Sequence, residues 1–449
     1  MNKKLIYFFF LIYLLNTACS FDNKTGIWTG TEREKRRISE IENEQKRVLH
    51  RVKIYSTENI YNKEISSKKK IDLTKPKKNN YWLMAGKNLQ NSLGNMYLPE
   101  IQKIFLKKKI GKDKFLLSQN ISSPLIFNNK IIISDDVGSI YNLNRNGKIN
   151  WKKNVYKKLY KKVYKVLSLA IYENAIYITD NIGFIYKIDF NSGEIIWIKN
   201  HSIPLKSDIK IFENKLYVIN QDNRLLCFNV KDGSLLWSFR SVSSFIKSQN
   251  LLSMAISKEK DLIILNSSGD LSNLRSDNGR PHWTLNAIGS LYAHDTDFFK
   301  SSKIVLADNE IIFSTTNNTF SFNIRNGIVN WENNIGTSNT PIVDTNNIFT
   351  VTDNGYFVNI NRADGKVEWS TNILKILKKK KRDTKVTGFV LGSGRIYAVT
   401  KNGYLIIVSA SSGKIDSFKK IGDGISSNPI IHDGSLYILT ENSRILGLN

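Results

Sequence analysis

The chain has 449 residues, 41% hydrophobic and 11% aromatic, enough to bury a sizeable core and too apolar for a wholly disordered polymer. Its 66 Lys and Arg against 39 Asp and Glu leave a formal net charge of +27, which points to an acidic protein face, nucleic acid or an anionic membrane as partner. Two cysteines, Cys19 and Cys227, exclude a disulfide framework, a four-cysteine zinc site and a haem-attachment motif.

Lys3 and Lys4 precede an apolar run, Leu5 to Leu15, then Asn16-Thr17-Ala18-Cys19. The run is well short of the roughly 20 residues of a membrane-spanning helix. A charged start, a short apolar stretch and a small residue before cysteine read as a lipoprotein-type signal, residues 1–19, with Cys19 the lipidated first residue. Asn16 departs from the leucine usual three places before that cysteine, and an uncleaved hydrophobic start is the plainer alternative. Ser20 rather than Asp after it favours the outer membrane. Residues 20–80 carry charge runs such as Glu32 to Arg37 and Lys68 to Lys70, and read as a basic, mostly disordered tether. One short helix near Ile38 to Val48 is expected there on a thin apolar stripe. In an exported chain Cys227, within Leu225-Leu226-Cys227-Phe228, is expected to be a buried strand thiol.

From residue 100 a phrase recurs: turn residue, Gly, three residues, Trp. It ends at Trp151, Trp197, Trp237, Trp283, Trp331 and Trp369, and a degenerate copy runs Ser412-Gly413 to Phe418 with its aromatic one place late. The mean period of about 44 residues suits a four-strand blade. Within one period the apolar runs 124–127, 130–134, 139–143 and 148–152 are separated by Asn128-Asn129, Asp135-Asp136 and Asn146-Gly147, which suit hairpins. No segment has the length and period of a solenoid helix. Three further strands, 428–431, 435–440 and 444–448, end the chain without an outer partner. Ile104 to Gly111 resembles Ser417 to Gly422, so it supplies the missing strand. The prediction is an all-β, eight-bladed propeller over 81–449, closed by pairing that N-terminal strand with the C-terminal three.

These Trp phrases, the leader, and Tyr81-Trp82 with Gly86-Lys87-Asn88 and Gln90-Asn91 closely resemble the BamB-like propeller lipoproteins of the outer-membrane β-barrel assembly machinery. The Trp phrase is shared with quinoprotein dehydrogenases, so by itself it speaks for fold. The resemblance implies a non-enzymatic, outer-membrane-anchored scaffold on the periplasmic face, a monomer within a complex. It implies docking on the periplasmic domain of the BamA-like barrel-inserting protein. In that family an Asp-x-Asp motif contacts this partner, and His294-Asp295-Thr296-Asp297 matches it, without the family's following Pro. Phe245-Ile246-Lys247 takes the place of the family's apolar-basic loop, with Lys247 where Arg is usual; lysine lacks bidentate pairing. The implied partner-binding residues are therefore Phe245, Ile246, Lys247, Asp295 and Asp297. The alternative is an exported, quinone-dependent (PQQ) propeller enzyme.

Outer-to-inner strand links all lie on one face of a propeller, so these residues share a face with two lysine-rich stretches. In 152–165 lysine pairs alternate with Tyr156, Tyr160 and Tyr164, either as a solvated loop or as a basic amphipathic helix for anionic lipid. The second stretch is Lys375 to Arg382. His50, His201, His282, His294 and His432 are scattered without metal spacing and read as surface or turn residues. Asp180, Asp353 and Asp364 read as turn carboxylates without evident partners. No phosphate-cradling loop or nucleic-acid module is present, and no cofactor or metal is expected.

Overall fold

The computed structural model describes residues 36, 37, 39, 40, 61–67, 71–111, 122–160, 162–240, 251–287, 300–378 and 384–449. Eight four-stranded antiparallel sheets stand as blades around an axis. Blades 1 to 7 span 125–154, 167–200, 210–240, 253–286, 305–333, 342–372 and 386–420 in chain order. Blade 8 joins Ile430–His432, Ser435–Leu439 and Arg444–Leu448 to Ile104–Lys109 as its outer strand. The chain therefore closes as its sequence predicts. Lys107, Lys108 and Lys109 stand opposite Leu446, Ile445 and Arg444.

Middle strands such as Ile131-Ile132-Ile133 are apolar on both faces because a neighbouring blade covers each side. One cluster joins Tyr217, Leu225 and Cys227 of blade 3 to Met254, Leu262 and Leu274 of blade 4. Cys227 is buried as expected, and burial pushes its thiol up to about 12.

The Trp phrase makes the joint between blades. A one-residue bulge precedes each Trp in the outer strand. Each indole N–H donates to a backbone carbonyl of the following blade. Trp151 reaches Phe190 at 3.1 Å, Trp331 reaches Arg362 at 2.7 Å and Trp369 reaches Ala410 at 3.1 Å. The turn glycine of that following blade lies on the ring. A β-carbon on Gly193, at φ +72°, would come within 2.7 Å of Trp151. Two parts of one phrase thus serve two different joints. In blade 7 the Trp register falls to Ser417, opposite Ile407. Phe418 is not a displaced equivalent: one step along the strand turns it to the other side, and it is exposed.

Residues 71–98 form a strap across the axis that touches the innermost strand of every blade. Trp82 exchanges two hydrogen bonds with Ile126, and the carbonyls of Leu83, Leu89 and Gln90 accept from Ile171, Ile256 and Leu306. Lys210 reaches the strap from blade 3. Thr74 bonds Asp344, Met96 N–H donates to Leu391, and Asn79 holds Ile431. Many of these partners lie at the C-terminal ends of the inner strands, so the strap is set toward the mouth opposite the outer-to-inner links. Residues 61–67, placed in the tether on composition, lie along blade 6, where Ile65 pairs Ser370 of the outer strand. Within the helix expected from Ile38 to Val48, residues 39 and 40 are described and both are helical. No helix among the described residues is long and apolar enough to cross a membrane.

Candidate docking face and axial strap

The sequence places its partner-binding residues on one face. Phe245, Ile246 and Lys247 fall in the link from blade 3 to blade 4, and Asp295 and Asp297 in the link from blade 4 to blade 5. All five, together with Cys19, lie outside the described residues. What is described is the frame that carries them: the outer strands ending at Arg240 and Asn286, and the inner strands opening at Ser253 and Val305.

Among its described residues the stretch 152–165 forms no amphipathic helix, and only part of it, including Lys158, Leu159 and Lys162, is a solvated loop. Lys152 and Lys153 end the outer strand of blade 1, and a single 3-10 turn covers Lys158–Tyr160. Tyr160, Val163, Tyr164 and Lys165 are then buried. The Lys165 ammonium lies 5.2 Å from the Tyr156 ring centre and donates to the Tyr160 carbonyl. Tyr156 Oη donates to Asp180 Oδ2 at 2.5 Å. The aromatics pack into the cleft between blades and take the lysine stem with them, because burying the rings gains more than solvating them. In the second stretch Lys375 is ion-paired to Glu64 at 2.7 Å, and 379–383 lie outside the described residues.

The turn carboxylates have partners that spacing did not reveal. Asp180 Oδ1 accepts from the N–H groups of Ile182, Gly183 and Phe184 at 2.7–2.9 Å, while burial pushes its carboxyl up. Asn220 and Asn266, and Thr352, Thr400 and Thr440, hold the same turn in other blades. One acceptor oxygen is all the turn requires, so this acid is structural. Asp353 pairs with Lys385 and Asp364 with Lys366. His432 is a correction: it is buried at the end of an inner strand, with Nε2 3.0 Å from the Asn80 carbonyl of the strap.

Lys210 went unnoticed in the sequence. It is buried, and Nζ donates to Ala85 O at 3.0 Å, Asn88 O at 2.7 Å and Asn91 Oδ1 at 2.6 Å. Asn91 in turn donates to Met254 O and Ile304 O. Desolvation pulls the Lys210 amine down to about 7. A signal existed: a lysine opens Lys210–Phe212 where blades 1, 5, 6 and 8 open with Leu125, Val305, Ile342 and Ile430. Among the described residues no His, Cys, Asp and Glu cluster could hold a metal ion.

A family model described as outer membrane protein assembly factor BamB matches residues 136–371. The chain belongs to the BamB family. It is similar in structure to BamB from Moraxella catarrhalis, with a TM-score of 0.64 and 13% identity over 78% of this chain and 100% of that one. A europium-containing methanol dehydrogenase has a TM-score of 0.64 and 12% identity, with 80% and 89% of the two chains covered. The quinohemoprotein alcohol dehydrogenase of Comamonas testosteroni has a TM-score of 0.63 and 11% identity, with 82% and 80% covered. At such identities these likenesses speak for the fold alone. No curated protein matches the chain in sequence.

Proposed function

We propose that the chain is a non-enzymatic scaffold of outer-membrane β-barrel assembly. It docks on the periplasmic domain of the barrel-inserting, BamA-like protein, and a lipid on Cys19 holds it at the outer membrane. The domain plan is a signal over 1–19, a tether from residue 20 whose segments 61–67 and 71–80 lie against the propeller, and the propeller itself from 81 onward. Family membership carries this reading. The docking residues are Phe245, Ile246, Lys247, Asp295 and Asp297, on two neighbouring links that flank blade 4. The test is affinity for the partner's periplasmic domain at two salt concentrations, beside thermal melts. Alanine at Asp295 or Asp297 is expected to weaken binding by roughly 1 kcal/mol each, with fold stability within about 0.5 kcal/mol of wild type. Asp295→Lys with Asp297→Lys hurts more, because like charges then meet a basic partner surface. A folded double reversal that binds like wild type removes these residues from the interface.

The dehydrogenase-like fold supports a second reading, an exported quinone-dependent enzyme. The strap fits it poorly, because inner-strand edges at the axis already hydrogen-bond to the chain's own residues 82–96. Incubation with pyrroloquinoline quinone and calcium decides: a bound chromophore with alcohol oxidation favours the enzyme.

A further inference from the structure

The outer strands of blades 7, 8 and 1 differ together from the rest. Lys420, Lys109 and Asn154 stand opposite Tyr404, Arg444 and Ser139, each the first residue of the third strand of its blade. One step back along the outer strands come Lys419, Lys108 and Lys153, and one more step back Phe418, Lys107 and Lys152. The matching triplets of blades 2, 3, 4 and 6 are Ile198-Lys199-Asn200, Ser238-Phe239-Arg240, Thr284-Leu285-Asn286 and Ser370-Thr371-Asn372. Blade 5 has Glu332-Asn333. Lysine is thus concentrated on three consecutive blades, at strand ends nearest the link face.

All of these lysines are exposed except Lys153, which is half-buried. Blades 8 and 1 are in contact here, since the Gly147 turn of blade 1 packs on Leu106 and Lys108. Of the carboxylates near these strand ends, Asp423 pairs with Arg444, and Asp135, which lies against Gly111, accepts from Ser139 N–H and Tyr141 Oη. Phe418, 45% exposed, stands in the same register row as Lys107 and Lys152. Leu159, also exposed, follows Lys158 on the blade 1 link. The chain reaches the propeller beside this edge. Tyr61 lies against Tyr356 of blade 6, and Glu64 pairs with Lys375 on the link from blade 6 to blade 7.

We propose that this edge seats on an anionic phospholipid surface, its lysines on headgroup phosphates and Phe418 within the headgroup layer. Cations in a row with an exposed aromatic suit an interface that is charged outside and apolar beneath. Blade 8 lies across the ring from blade 4, so the lipid edge and the proposed protein-docking links occupy opposite ends of one diameter. Both can be engaged at once, and neither reading depends on the other.

The test uses the full chain as Cys19→Ala, so that no attached lipid inserts by itself. Co-sedimentation is measured with vesicles of phosphatidylcholine, alone or mixed with phosphatidylglycerol, at low and high salt. The edge variant is Lys107→Glu with Lys108→Glu and Lys419→Glu. The control carries Lys199→Glu, Lys231→Glu and Lys258→Glu in blades 2 to 4, with the basic tether unchanged. A lysine held at an anionic surface is worth about fivefold in affinity, so the edge variant is expected to lose about a hundredfold on mixed vesicles. The control is expected to stay within about threefold, and salt to weaken wild type as screening requires. Phe418→Ser, which removes no charge, is expected to lose severalfold and serves if the triple variant melts early. An edge variant that binds like wild type, equal losses in both triples, or no preference for the anionic vesicles overturns the proposal. So does binding to a duplex oligonucleotide that the edge variant loses while vesicle binding is unchanged.

Discussion

Lys210 places a charged amine where neighbouring blades bury aliphatic carbon, and three oxygens of the strap, one of them on the Asn91 side chain, receive it. Its folded value of about 7 lies below the value of roughly 10.4 in an unfolded chain. Between those values the unfolded chain holds the proton more tightly, so stability rises as pH climbs from about 7 towards 10. Lys210→Met leaves the three oxygens without a donor and is expected to cost about 1–3 kcal/mol at pH 7. The stability gap between wild type and this variant is expected to widen by more than about 1 kcal/mol at pH 9.5. Denaturant unfolding of both proteins at the two pH values checks it; a gap that stays constant refutes the titration. Trp369 offers a second residue-scale test. It is fully buried between blades 6 and 7 and donates to Ala410. Trp369→Ala is expected to cost about 3–5 kcal/mol, and Trp369→Phe about 1 kcal/mol beyond its lost volume, for the missing donor. Thermal melts that rank the two in the opposite order remove the inter-blade role of the indole nitrogen.

At the scale of elements, the strand Ile104–Lys109 joins the two ends of the chain. Without it the strand Arg444–Leu448 presents a long unpaired edge, and Leu106 no longer covers Gly147 of blade 1. Deletion of residues 101–110 is expected to lower the melting temperature and to cause association visible in light scattering. An unaltered melting curve shows that the ring does not need this strand. Its pairing was legible in the sequence because Ile104 to Gly111 resembles the blade 7 outer strand and three strands lacked a partner. The link of blade 1 was not legible. Tyr156, Tyr160 and Tyr164 have a helical rhythm, but the cleft between blades 1 and 2 takes the rings one by one, against Tyr186 and Phe184.

For the whole molecule, the eight blades bring distant parts of the chain onto one face, and Glu64 meets the link from blade 6 to blade 7 on that same side. If a lipid on Cys19 holds the protein, Cys19→Ala is expected to move it from the membrane fraction to the soluble periplasm or to block processing. Fractionation of cells with mass analysis of the mature N-terminus measures this. Unchanged fractionation and no lipid mass on wild type remove the anchor.

Repetition alone determined the architecture. Glycine and tryptophan recur at fixed spacing because each repeat must make the same joint with the next, so the fold could be counted from the residues. The strap, the burial of Lys210 and the lysine edge follow no local rule. Lys107, Lys152 and Phe418 are remote in sequence and fall into one row only after closure brings blades 7, 8 and 1 side by side. Likewise the oxygens around Lys210 come from residues more than a hundred positions upstream. Local periodicity records which side of a strand faces the core; which distant group fills the axis is decided by the three-dimensional meeting of the inner strands.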